Sequence, residues 1–231
     1  MKNYILIALF FVVSTLSINA QYCLFFEFKA EEPEMVVSAM NDMKNSEWRK
    51  GIQATVSLFA LLPNGTSEST HMIQMCFPDE AAFEQAFMAY GQSTEAQLIF
   101  ERKMQDFVVD VSQSLNTPAW WNGKDWNKDN VFMIYQMDVT NPGVYLENFK
   151  SFTTKMTEKL GIENSVGLGY PIVGKNKDFS HFVWLGASDI KTSLSTTKQM
   201  FSDPLFAEFS KSVAGIRTIV NTIMMVRVAD Y

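Results

Sequence analysis

The chain has 231 residues and carries a net charge of −6. That acidic balance argues against a nucleic-acid backbone or an anionic membrane surface as partner. With 47% hydrophobic and 13% aromatic residues it can fill the core of one large domain or two small ones, which excludes a disordered chain.

The first segment, MKNYILIALFFVVSTLSINAQ, has Lys2, an apolar run from Tyr4 to Val13, and Ala20 after a polar stretch. This is the layout of a secretory signal peptide, residues 1–20, and predicts a secreted or periplasmic protein. The run is too short to span a bilayer, and no later segment reaches the ~20 apolar residues required, so no membrane span is expected. Cys23 follows Gln21 and Tyr22 rather than small residues, which argues against lipid attachment at that cysteine.

Residues 21–115 read as a first unit. CLFFEF opens it as a strand. Pro33 then starts a helix whose Val36, Met40 and Met43 fall at i, i+4 and i+7, one apolar face. GIQATVSLFALL runs from a helix-ending glycine into a strand, PNGTSEST is a polar turn, and HMIQMCF is the next strand. Asp79 is placed to cap a helix with Phe83, Phe87 and Tyr90 on one face, and DFVVDV closes the unit. Residues 116–130, NTPAWWNGKDWNKDN, read as a tryptophan-rich linker.

Residues 131–231 repeat the pattern: VFMIYQM, a helix with Tyr145, Phe149 and Phe152 on one face, GIENSVGLGYPIVG, the turn KNKDFS, HFVWLGA, Asp189 as cap, and TIMMVRV. At an offset of 110, Gly51 falls on Gly161, Val56 on Val166, Leu58 on Leu168 and Asp79 on Asp189. His71 falls on His181, and these are the chain's two histidines. Each unit therefore reads β-α-β-β-α-β, and the fold class is α+β with two tandem ferredoxin-like units. The strands are apolar at both alternating positions, so both sheet faces should be buried. Helices can cover one face, and a second sheet must cover the other.

With that pattern the sequence resembles the dimeric α/β-barrel superfamily, and FPDEAAFEQAF (Phe77 to Phe87) resembles the strand-to-helix passage of its antibiotic-biosynthesis-monooxygenase-like branch. The resemblance implies two sheets packed face to face within one chain as a pseudo-dimeric barrel, and hence a monomer. It also implies a pocket between sheet and helices, which relatives use for cofactor-independent oxygenation, haem breakdown or other small-molecule work. In that topology the first and third strands are antiparallel neighbours. If Phe28 opposes His71, then Cys23 opposes Cys76, as a disulfide or as two buried thiols.

The candidate chemistry is sparse. There is no His-Glu-x-x-His, Cys-x-x-Cys or Gly-x-Ser-x-Gly pattern, so no metal and no cofactor is expected. His71 and His181 are candidate catalytic residues, or else rim histidines bonded to a turn. Trp184 stands where the first unit has Gln74, and Tyr170 where it has Ala60, so a pocket is expected in the second half. The candidate ligand-binding set is His181, Trp184, Tyr170 and Trp121, although the linker tryptophans read better as plugging a barrel end or covering a sheet edge. Asn64, in NGT, fits the N-glycosylation pattern. These features suggest an exported protein that binds a small apolar or aromatic molecule. The alternatives are a cofactor-independent monooxygenase-like enzyme and a ligand-free structural or interaction module.

Overall fold

The computed structural model describes residues 22–174 and 179–231. Residues 1–20, expected from the sequence to be a leader, and much of the turn KNKDFS therefore lie outside the described residues. The chain runs β1 (Tyr22–Ala30), α1 (Pro33–Asn45), α2 (Glu47–Gly51), β2 (Thr55–Leu61), β3 (His71–Phe77), α3 (Glu80–Gln92), α4 (Thr94–Gln97), a π-helical turn (Leu98–Lys103) and β4 (Val108–Trp121). A short 3₁₀ turn (Trp126–Lys128) leads to β5 (Val131–Val139), α5 (Pro142–Leu160), β6 (Val166–Val173), β7 (His181–Ala187), α6 (Ile190–Phe201), α7 (Pro204–Val213) and β8 (Arg217–Asp230).

The eight antiparallel strands form a closed barrel in the order β1-β3-β2-β8-β5-β7-β6-β4. Two long strands close it. The first part of β4 pairs with β1 and its last part with β6, while β8 pairs with β5 and then with β2. What the sequence suggests as two facing sheets is thus hydrogen-bonded into one continuous ring, which leaves no open sheet edge.

Strand β4 runs on into the tryptophan-rich segment 116–130. Residues 116–121 belong to this strand, because it must extend past β1 to reach β6. Trp120 and Trp121 alternate across it. Trp120 packs on the outer face, 5.9 Å from Phe149 by ring centroids, and Trp121 turns inward, 5.7 Å from Trp126.

Both sheet faces are buried. Leu24, Phe28, Leu58, Ile73 and Met75 face outward beneath the helices of the first half. Phe59, Met72, Phe132, Phe182 and Trp184 face the barrel interior. The helix stripes sit as their spacing requires: Val36, Met40 and Met43 are fully buried, as are Tyr145 and Met156.

Polar groups fix the ends of these elements. Asp79 accepts from the Ala82 N–H at 2.8 Å and Asp189 from the Thr192 N–H at 2.8 Å, both as N-caps. Helix α5 ends at Gly161, whose φ of +62° suits a residue without Cβ. In the first half the helix stops earlier, at Ser46. Its buried hydroxyl donates to the Met43 carbonyl at 2.7 Å and accepts from the Arg49 N–H at 3.1 Å, so α2 starts afresh. In β1 and β3, Cys23 lies opposite Cys76 and the two form a disulfide, with Cα atoms 4.0 Å apart.

Candidate functional site

Among the described residues, three cavities along the barrel differ greatly in size. The largest, about 930 Å³, lies in the first half between the outer face of the sheet and helices α2 and α3 with the π-helical turn. Its floor is apolar, formed by Leu24, Phe26, Phe28, Ile73 and Met75. One wall is a trio of rings, Trp48, Tyr90 and Phe100, each pair edge-to-face at 5.7–6.0 Å between centroids. Trp48 is locked there by its indole N–H, which donates to the Ala86 carbonyl at 3.1 Å.

The polar groups of this cavity lie along its mouth. The π-helical turn brings three consecutive residues, Phe100, Glu101 and Arg102, onto the lining. A wider turn of this kind rotates the side chains relative to an α-helix, and such turns recur at functional sites. The Tyr90 hydroxyl donates to Glu101 Oε1 at 3.1 Å. Burial and the neighbouring Glu101 carboxylate push the Tyr90 phenol up to about 12.

The opposite side of the mouth comes from β4. Its register against β1 shifts between Glu27 and Phe28, so Asp110 pairs with Phe28 and Gln113 with Phe26. Residues three apart normally point to opposite sheet faces. The irregularity lets Asp110 and Gln113 share one face, that of Phe26 and Phe28, and both line the cavity.

The corresponding space in the second half measures about 70 Å³. Aromatic side chains fill it: Phe152 stacks on Phe209 with centroids 4.5 Å apart, and Phe206 lies edge-on to Phe152 at 5.9 Å. The larger of these two spaces thus lies in the first half. The α5 stripe carries Tyr145, Phe149 and Phe152 where α1 carries Val36, Met40 and Met43, and α7 adds Phe206 and Phe209.

The third cavity, about 80 Å³, lies inside the barrel and is lined partly by Glu27, Gln74, Asn116, Gln136 and Trp184. Burial raises the Glu27 carboxyl above its ordinary value, against the opposing effect of hydrogen bonds from Ser69 and Ser112.

The sequence-derived candidates do not converge on one cavity. His181 and Tyr170 lie together on the outer face, with rings 5.9 Å apart. Trp184 and Trp121 face the interior, on the other side of the sheet. Neither histidine lines any of the three cavities. The two do share one local device. His71 Nδ1 is 2.9 Å from Thr70 Oγ1, which accepts from the Ala30 N–H. His181 Nδ1 is 2.9 Å from Ser180 Oγ, which accepts from the Val139 N–H. Each hydroxyl thus ties its histidine to the opening strand of that half. Partial burial lowers the pKa of His71, whose ring stacks on Phe28.

Asn64 Nδ2 donates to the Ser67 and Ser69 carbonyls at 2.9 and 2.7 Å, so the amide nitrogen serves its own turn. Among the described residues, no group of three or more His, Cys, Asp or Glu is placed to hold a metal ion, and no helix is long and apolar enough to cross a membrane.

Sequence reasoning missed Trp48, Phe100, Glu101, Asp110 and Gln113. The available signal was weak: LIFERK (98–103) shows no clean helical stripe, as expected of a π-helical turn.

No protein-family model matches this sequence, and no curated protein does either. Solved structures match nearly its whole length. A candidate monooxygenase from Fusobacterium nucleatum subsp. nucleatum has 16% identity and a TM-score of 0.59, covering 92% of this chain and 94% of its own. An anthrone oxidase-like protein has 8% identity and a TM-score of 0.59, covering 92% and 93%. A haem-binding protein from Thermus thermophilus has 10% identity and a TM-score of 0.53, covering 91% and 92%.

The side chains of haem-ligating type on the large cavity are Tyr90, Met75 and Met104. No histidine, cysteine or lysine is among its lining residues. The Tyr90 hydroxyl is engaged by Glu101, to which it donates at 3.1 Å. Closed eight-stranded topology and full-length structural likeness agree, and this chain has the dimeric α/β-barrel fold.

Proposed function

We propose that the chain is an exported, monooxygenase-like enzyme that takes a flat, largely apolar aromatic molecule into the first-half cavity. In this reading residues 1–20 are the export signal, residues 21–115 and 131–231 are tandem β-α-β-β-α-β units, and the protein acts as a monomer that supplies both halves of its barrel. The carrying observation is the contrast in volume: about 930 Å³ in the first half against about 70 Å³ in the second. The larger space is in the range of small-molecule sites, with an apolar floor and a few polar groups at its mouth.

Such a cavity suits oxidation of an activated ring methylene without a cofactor. The substrate loses a proton from that carbon to a carboxylate at the mouth. The carbanion passes electrons to dioxygen, and one oxygen atom bonds to the carbon. The second hydrogen leaves that carbon as the O–O bond breaks, the other oxygen departs as hydroxide and takes back the proton held by the carboxylate, so CH2 and O2 give C=O and H2O. Glu101, oriented by the Tyr90 hydroxyl, is the proton acceptor in this reading. The anthrone oxidase-like neighbour makes anthrone the first substrate to try.

The test is oxygen uptake by the purified mature protein with anthrone, beside fluorescence titration of its tryptophans. Saturable quenching with oxygen uptake above the buffer rate supports the enzyme. Quenching without uptake turns the reading to a binding protein, and neither signal overturns it.

A further inference from the structure

We infer that Glu101 and Asp110 set ligand specificity at the mouth of the first-half cavity by rejecting anionic aromatics and favouring neutral ones that carry hydroxyl donors. The inference rests on the functional reading above and narrows its ligand class. Three charged side chains line the cavity: Glu101 and Arg102 on the π-helical turn, and Asp110 on β4. Two carboxylates against one guanidinium leave a net charge of −1 at the opening, on a chain whose overall charge is −6. On the helical wall Arg102 offsets Glu101, and on the sheet wall Asp110 has no counter-charge among the lining residues, so the uncompensated charge that repels a carboxylate on the ligand lies on the β4 side.

The same two groups accept hydrogen bonds. Ionised carboxylates are acceptors without donors, and Glu101 already holds one donor, the Tyr90 hydroxyl. A phenol or alcohol at the ligand's edge supplies the matching donor, while its rings lie over Phe26, Phe28 and Ile73 on the apolar floor. Asp110 reaches this mouth through the strand irregularity described above, so the acidic character is shared by two separate elements.

The test compares two probes with one ring system, anthracene-9-methanol and anthracene-9-carboxylate, titrated by tryptophan fluorescence. The wild-type protein should bind the alcohol about tenfold more tightly at low salt, and added salt should narrow the gap. The Glu101→Gln, Asp110→Asn double variant should bring the two affinities to within about threefold. Both side chains are exposed, and an unchanged thermal unfolding midpoint confirms that each variant folds. The Asp110→Asn single variant gives an intermediate ratio and guards against a fold defect in the double variant. Equal wild-type affinities, tighter binding of the carboxylate, or a ratio unmoved by the double variant overturns the inference while leaving the cavity as a binding site. Binding of neither probe overturns the functional reading itself, and this inference with it.

Discussion

Gly167 on β6 lies directly against the indole of Trp184 on β7, its partner across the strand pair, so closely that a Cβ on residue 167 would overlap the ring. The first half has the same cross-strand pair as Ser57 and Gln74. The large ring and the absent side chain are therefore matched, and Gly169 makes the same accommodation for Phe182. Replacing Gly167 with alanine should cost about 1–3 kcal/mol, read from urea unfolding, because the indole must shift within a packed interior. In a Trp184→Gln background, which restores the first-half pairing, the same substitution should cost less. Equal costs in the two backgrounds would show that the ring is not what excludes the side chain.

The barrel interior holds one carboxyl out of place. Burial raises Glu27 above its ordinary 4.5, so its proton is held more tightly in the folded protein than in the unfolded chain. The sign follows directly: its contribution to stability is fully present below about pH 4.5 and is lost as pH rises through the folded value. Glu27→Gln should therefore raise the thermal midpoint at pH 7, and that gain should shrink toward pH 4. A lower midpoint at pH 7 would mean that the Ser69 and Ser112 hydrogen bonds outweigh the cost of burial.

Asp129 illustrates a buried carboxylate that is fully partnered. It accepts from Asn164 Nδ2 at 2.6 Å, and from the Ser165 backbone N–H and hydroxyl at 3.1 and 2.5 Å. Ser165 in turn accepts from the Trp184 indole at 3.2 Å. Asp129→Ala would leave buried donors without acceptors and should cost about 3 kcal/mol. Calorimetry of the variant checks this, and a loss below about 1 kcal/mol would mean that water replaces the carboxylate.

The Cys23–Cys76 bridge closes 53 residues of the first half. Chain-entropy arguments assign a loop of that length up to about 4 kcal/mol. The Cys23→Ser, Cys76→Ser double variant should unfold at lower denaturant by a corresponding amount. The wild type treated with reductant should move to the same midpoint.

Much of the fold is legible because periodicity survives any context. The i, i+4, i+7 spacing of Val36, Met40 and Met43 needs a buried face, and strands such as HFVWLGA, apolar at every position after His181, need cover on both sides. The aspartates before α3 and α6 state their role locally. The site was not legible, because a cavity is what packing leaves unfilled. Phe152 and Phe209 fill the second half only through contact between two helices that no local pattern relates. Asp110 and Gln113 share a face only because the pairing register shifts beside Phe28. Strict alternation along DFVVDVSQ (106–113) would separate them. Trp184 and Tyr170 are conspicuous differences between the halves, yet they lie on opposite faces of the sheet, one sealing the interior and the other against His181.

In the proposed function the first half, and not the second, holds the ligand. Ile73 lines the large cavity, and Val183, its counterpart 110 residues on, lines the small one. The most direct measurement is the affinity for anthracene-9-methanol in Ile73→Trp and Val183→Trp variants that retain wild-type circular dichroism. The account predicts that Ile73→Trp weakens binding at least tenfold and that Val183→Trp leaves it within about twofold, by the volume each indole takes from the cavity it enters. Loss of binding in the Val183 variant with retention in the Ile73 variant would contradict it.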